Sequence, residues 1–182
     1  MFQHLFGRRR RNEAIAYSLY GTIVAQARQP ALYADFDVPD TIDGRFDMIV
    51  LHASLLFHRL KSEDADRRRL GQDVFNLFLK DMDGSLREMG VSDIGVPKKL
   101  KKMAEAFYGR LGAYDSALTS GDGAALGDAI ARNVFPEGGG DVAVPRLVGY
   151  VQQAARIAAA EPVEAILAGR FAFPELSPPE VA

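Results

Sequence analysis

One run constrains this chain more than any other: residues 45–61, RFDMIVLHASLLFHRLK. Phe46, Ile49, Val50, Ala53, Leu56, Phe57 and Leu60 recur at three- and four-residue steps, and Leu51 and Leu55 widen the stripe. A helix apolar over so much of its circumference must be surrounded, so other helices have to pack around it. No stretch alternates apolar and polar residues as a half-buried strand would. The expectation is an all-α fold: a single compact domain of six to seven helices with no sheet. A length of 182 residues suits one such domain. It is expected over residues 12–173, between a basic N-terminal tail at 1–11 and a disordered tail at 174–182.

Stop and start residues bound the other helices. Asn12 is placed to cap a first helix over about 13–29, ended by Pro30. Arg8 to Arg11 ahead of an apolar run at 14–27 have the layout of a twin-arginine signal. Glu13 interrupts that layout, and the four-residue step Ile15, Leu19, Ile23, Ala27 favours a packed amphipathic helix. The arginines suit either a weak anchor to an anionic membrane or a soluble, frayed terminus. Residues 31–45 read as a polar connection, with Asp43 capping the apolar helix.

A third helix is expected over about 66–89, with Leu70, Val74, Leu77, Phe78, Met82, Leu86 and Met89 inward and Gly90 as its C-terminal stop. Asp81 lies at the margin of that face and needs a partner. Gly84 is expected to mark a close helix–helix approach. A fourth helix is expected over about 97–119, with Pro97 at its first position. Leu100, Met103, Phe107, Leu111, Tyr114 and Leu118 form a regular packing seam along it. Asp122 caps a helix near 123–134, Pro145 starts another to about 160, and a short one over 162–168 closes at Gly169.

The fourth helix carries the oddity. Lys98, Lys99, Lys101 and Lys102 crowd its first turns, where the helix dipole favours acids by about 0.3–1 kcal/mol per charge. They do not help the fold, so a negatively charged partner is the functional reading and solvent screening the structural one. Overall charge points the same way. The net value is −2, yet residues 1–110 hold eighteen Lys and Arg against fifteen Asp and Glu, while 111–182 hold four against nine.

Most sites of chemistry are excluded. Cysteine is absent, which removes thiol nucleophiles, disulfides and thiolate metal sites. His52 and His58 are six apart and face different ways, so they cannot share a metal from one helix, and both read as structural hydrogen-bonding groups. The acids at 35–43 fail the calcium-loop pattern because Pro39 occupies its fifth place. GDGAALG at 121–127 has the wrong spacing for a dinucleotide loop and follows a helical pattern. No hydrolase, zinc-protease or phosphate-loop motif occurs, and Asp81 with Asp83 is too little for a magnesium-dependent helical enzyme. Neither catalytic residues nor a cofactor nor a metal is assigned. No run reaches the ~18–20 apolar residues of a transmembrane helix.

The stretches ARQPALYADFDVPDTIDGRFDMIVLHASLLFHRL (27–60), FNLFLKDMDGSLREMGVSDIGVPKKLKKMAEAFYGR (75–110) and YDSAL (114–118) resemble the ubiquinol–cytochrome c chaperone family, the assembly factors of the cytochrome bc1 complex. The joint pattern DMDGSLREMGV, VPKKLKKM and AFYGR carries the resemblance. Short length and no mitochondrial presequence indicate a bacterial member; mitochondrial relatives act with a small helical partner. The resemblance implies a non-catalytic chaperone that binds newly synthesised cytochrome b, at or near the ribosome, and promotes bc1 assembly. It implies a cytoplasmic protein, peripheral at the inner face of the cytoplasmic membrane. On it, Lys98, Lys99, Lys101 and Lys102 would meet ribosomal RNA, anionic lipid or acidic loops. Tyr108, off the seam, would offer a client surface, and Arg110 would extend the lysine group. Arg45, His52 and Arg59 match family positions and read as structural hydrogen-bonding groups. The alternative is an RNA- or ribosome-binding helical protein that uses the same basic cluster without a membrane-protein client.

Overall fold

The computed structural model describes residues 2–61 and 64–176, with the backbone alone at 2–10, 65 and 66. Eight helical segments are present among them and no strand. The long ones are α1 (Phe2–Ala27), α3 (Ile42–Leu60), α4 (Ala65–Glu88), α5 (Gly95–Ser120), α6 (Gly123–Val134) and α7 (Ala143–Ala160). The short ones are α2 (Pro30–Ala34) and α8 (Val163–Ile166). The all-α reading therefore stands, with α2 as an addition inside the expected connection.

Helix α3 is the axis. It packs against α1, α4, α5, α6 and α7, and from Phe46 to Leu56 every residue is buried. Thr41, not Asp43, caps it: the Thr41 hydroxyl accepts from the Gly44 amide at 3.0 Å, and Asp43 sits in the first turn. The entry is tight enough to require glycine, since a Cβ on Gly44 would lie 2.0 Å from the Pro39 carbonyl oxygen. Between α3, α4 and α5 the core is aromatic: the ring of Phe107 lies 4.9 Å from those of both Phe75 and Phe78. Burying a side chain of that size contributes about 1.5–3 kcal/mol.

Several boundaries move, each for a local reason. Asn12 caps nothing, because α1 already runs from Phe2. Helix α4 is capped by Asp64, which accepts from the Arg67 amide at 3.0 Å. It ends as expected at Gly90 (φ 80°), with Val91 N–H donating to Leu86 and Gly90 N–H to Arg87. Asp81 has its partner: the Tyr20 hydroxyl donates to its carboxylate at 2.8 Å. Gly84 marks no close approach, since a Cβ there would meet nothing within 4 Å; the packed glycine of α4 is Gly71, against the Phe57 ring.

Helix α5 starts two residues before Pro97, at Gly95, whose amide donates to Ser92. Pro97 still falls in the first turn, where a missing N–H breaks no intrahelical bond. Asp122 caps α6 through the amides of Ala124 and Ala125, as expected. Helix α7 begins at Ala143 rather than Pro145. After α8 the chain turns at Gly169 (φ 78°) and runs back over α1. There Ser18 donates to the Gly169 carbonyl at 2.8 Å and Gln26 to the Pro174 carbonyl at 3.3 Å. Leu176 packs on the core, so the stretch expected as a disordered tail starts as packed chain; its residues 177–182 lie outside the described residues.

Candidate functional site

The first two turns of α3, the last two of α4 and the lysine-bearing half of α5 do not close on one another. Arg110, about four turns into α5, already meets Asp47, less than two turns into α3. The turns of α5 before Arg110 line the space between the three helices through Lys99, Lys102, Met103 and Ala106. An open groove of about 800 Å³ results. Ile42, Phe46 and Ile49 of α3, Met82 and Leu86 of α4 with Met89 at its C-terminal cap, and Met103 and Ala106 of α5 give it an apolar lining. Met89 is 49% exposed and Ile42 64%, so apolar surface that α3 and α4 would normally bury faces solvent.

Cations border this surface. Arg28 and Arg45 approach from the side of α1 and α3, and Lys99 and Lys102 from α5; Asp43 is the acid among the lining residues. Arg45 lies 2.6 Å from Asp40 and over the Tyr33 ring. Among the described residues, no carboxylate pairs with Arg28, Lys99 or Lys102.

Thus the expected lysine cluster is divided. All four side chains are exposed, but only Lys99 and Lys102 line the groove. Lys98 and Lys101 lie off it, and Lys101 reaches to 3.9 Å from Glu105. Tyr108 is 46% exposed and also off the groove, its ring 4.7 Å from that of Phe75. Burial pushes its hydroxyl pKa up, against the hydrogen bond to Gln72.

Arg110 is not a free extension of the lysines. Its Nε lies 2.6 Å from Asp47 Oδ1 and its guanidinium stands over the Phe46 ring at 5.2 Å, while its side chain lines the inner end of the groove. Burial pushes the Asp47 carboxyl up to about 6, with Arg110 opposing the rise. Asp47 was passed over in the sequence. Its signal was an acid between Phe46 and Met48 in a run that is otherwise apolar.

On the opposite flank of α3, His52 is fully buried. Its Nδ1 lies 2.7 Å from the Met48 carbonyl and its Nε2 2.8 Å from the Tyr150 hydroxyl. A carbonyl only accepts, so Nδ1 carries the proton and Nε2 accepts from Tyr150. Burial pushes the imidazole down to about 4 and keeps it neutral. His58 meets Asp115 instead, at 2.7 Å. The structural reading of both histidines holds. Arg59 likewise bonds the Glu161 carbonyl. Among the described residues no three His, Asp or Glu side chains gather as a metal site, and no helix is long and apolar enough to cross a membrane.

The sequence model of the ubiquinol-cytochrome C chaperone family matches residues 34–173, which contain α3 to α8 whole. The chain belongs to that family. A solved structure from Brucella abortus, described as a Cbp3 homolog, superposes with a TM-score of 0.86 at 42% identity over 97% of this chain and 98% of that one. Curated family relatives are more distant. Ubiquinol-cytochrome c reductase complex assembly factor 1 of Drosophila melanogaster is 26% identical over 80% of this chain and 58% of its own length. Its counterpart from Xenopus laevis is 24% identical over 66% of this chain and 60% of its own. The chain thus spans about three fifths of these relatives.

Proposed function

We propose that this protein is a non-catalytic assembly chaperone of the ubiquinol–cytochrome c reductase (cytochrome bc1) complex. Its client in this reading is newly made cytochrome b, held at the inner face of the cytoplasmic membrane until it enters the complex. The observation that carries the reading is the family match across residues 34–173, whose relatives bear the name of assembly factors for that complex. The groove supports it: an exposed apolar trough bordered by cations is a surface for holding another chain, not for bond chemistry. The split of the lysines between two faces suits charged groove walls better than a basic stripe following a phosphate backbone.

Purification of the tagged protein from a respiring bacterium tests the proposal. Cytochrome b is expected to co-purify, and deletion is expected to lower the amount of assembled bc1 complex. Normal bc1 content in the deletion strain would overturn it.

A further inference from the structure

The chemistry of the groove describes its occupant more closely than the family does. Three of the chain's five methionines, Met82, Met89 and Met103, line it. Unbranched thioether side chains adapt to the shape laid on them and are concentrated on surfaces that accept varied helices. Positive charge comes from two separate sides, Arg28 from the end of α1 and Lys99 with Lys102 from α5, with no carboxylate paired to any of the three among the described residues. Asp43 alone opposes them in the lining.

We propose that the groove receives a single amphipathic α-helix of another protein. Its apolar face lies on Ile42, Met89 and Met103, and aspartates and glutamates on its two flanks meet Arg28 on one side and Lys99 and Lys102 on the other. An α-helix is the occupant whose charges can flank an apolar stripe on both sides, because its anchors recur at i, i+3 or i+4, and i+7. A lipid carries its charge at one end of its tail, which does not match cations spread over two sides. Resting on the chaperone reading, the inference specifies the client segment: a helix with acid-flanked apolar anchors rather than a basic loop or a bare transmembrane span.

The test uses the full chain and a labelled synthetic peptide of about five helical turns, with leucine and methionine anchors and glutamate flanks. A second peptide carries lysine at every glutamate position. Fluorescence anisotropy should give at least about tenfold tighter binding of the glutamate peptide, weakening with salt. The double variant Lys99→Glu, Lys102→Glu changes two exposed side chains, and circular dichroism checks its fold. It should reverse the preference in favour of the lysine peptide.

Equal binding of the two peptides, no binding of either, or an unchanged preference in the double variant would overturn the inference. So would binding of phosphatidylglycerol vesicles, and of neither peptide, through the same two lysines. Absence of peptide binding together with low bc1 content in the deletion strain removes the helix and leaves the chaperone. Normal bc1 content removes the chaperone whichever peptide binds.

Discussion

On the side of α3 that faces α7, His52 is sealed from water, with both ring nitrogens bonded and Tyr150, Phe173 and the returning chain at 170–174 packed over it. On the side that faces α4 and α5, Asp47 and Arg110 form one close ion pair, and beyond them the apolar surface runs out into an open groove. The same helix thus has one flank finished by its own chain and one left for something else. The difference lies in what each flank does with polar groups. The closed flank satisfies a neutral histidine with neutral partners. The open flank holds a buried charge pair at its inner end and, at its border, Arg28, Lys99 and Lys102 with no carboxylate paired to them among the described residues, a costly arrangement for a fold and a useful one for a binding surface.

Removing the polar anchor of either flank destabilises the fold most. His52→Ala leaves a cavity and strips the Tyr150 hydroxyl of its acceptor, at a cost of about 3 kcal/mol in urea unfolding at any pH above about 7. Arg110→Ala leaves Asp47 buried without a counter-charge, at a cost of about 3 kcal/mol near pH 8. At pH 5 that second cost should shrink, because a protonated Asp47 needs no counter-ion. Equal losses for Arg110→Ala at both pH values would show that Asp47 is ordinary.

A smaller effect sharpens the contrast, because the two flanks have opposite pH slopes. The Asp47 carboxyl is raised in the folded state to about 6, so the folded state binds the extra proton. Its contribution is favourable below about pH 4 and is lost as pH rises to about 6. The His52 imidazole is lowered to about 4, so the unfolded state binds the extra proton. Its contribution is present above about pH 6.5 and is lost as pH falls towards 4. The stability of the parent minus that of Asp47→Asn should therefore fall with rising pH over 4–6. The parent minus His52→Gln should rise over 4–6.5. Two slopes of the same sign would contradict the contrast.

The closed flank was largely legible in the sequence. The spacing of Phe46 to Leu60 required a surrounded helix, and the six-residue separation of His52 and His58 put them on different faces. Helix ends marked by Asp122, Gly90 and Gly169 were readable because a cap is a local device. Thr41 was missed because Asp43 is an equally good capping type two residues on, and only the backbone decides between them. The open flank was half legible. The dipole argument found the lysines of α5, but a linear pattern does not reveal that Lys99 and Lys102 turn towards α4 while Lys98 and Lys101 turn away. Nor does it reveal that Arg28, Arg45, two methionines from α4 and its C-terminal cap, and one from α5 converge on one groove. Arg110 looked like a further free cation because Asp47, its partner, lies 63 positions away on a helix read as strongly apolar.

The most direct test places a photoreactive residue at Lys102, on the groove, or at Val142, exposed at the start of α7, in cells that are assembling the bc1 complex. Irradiation should link cytochrome b to the protein from position 102 and not from 142. A cytochrome b adduct from 142 with none from 102 would contradict the assignment of the groove as the client surface.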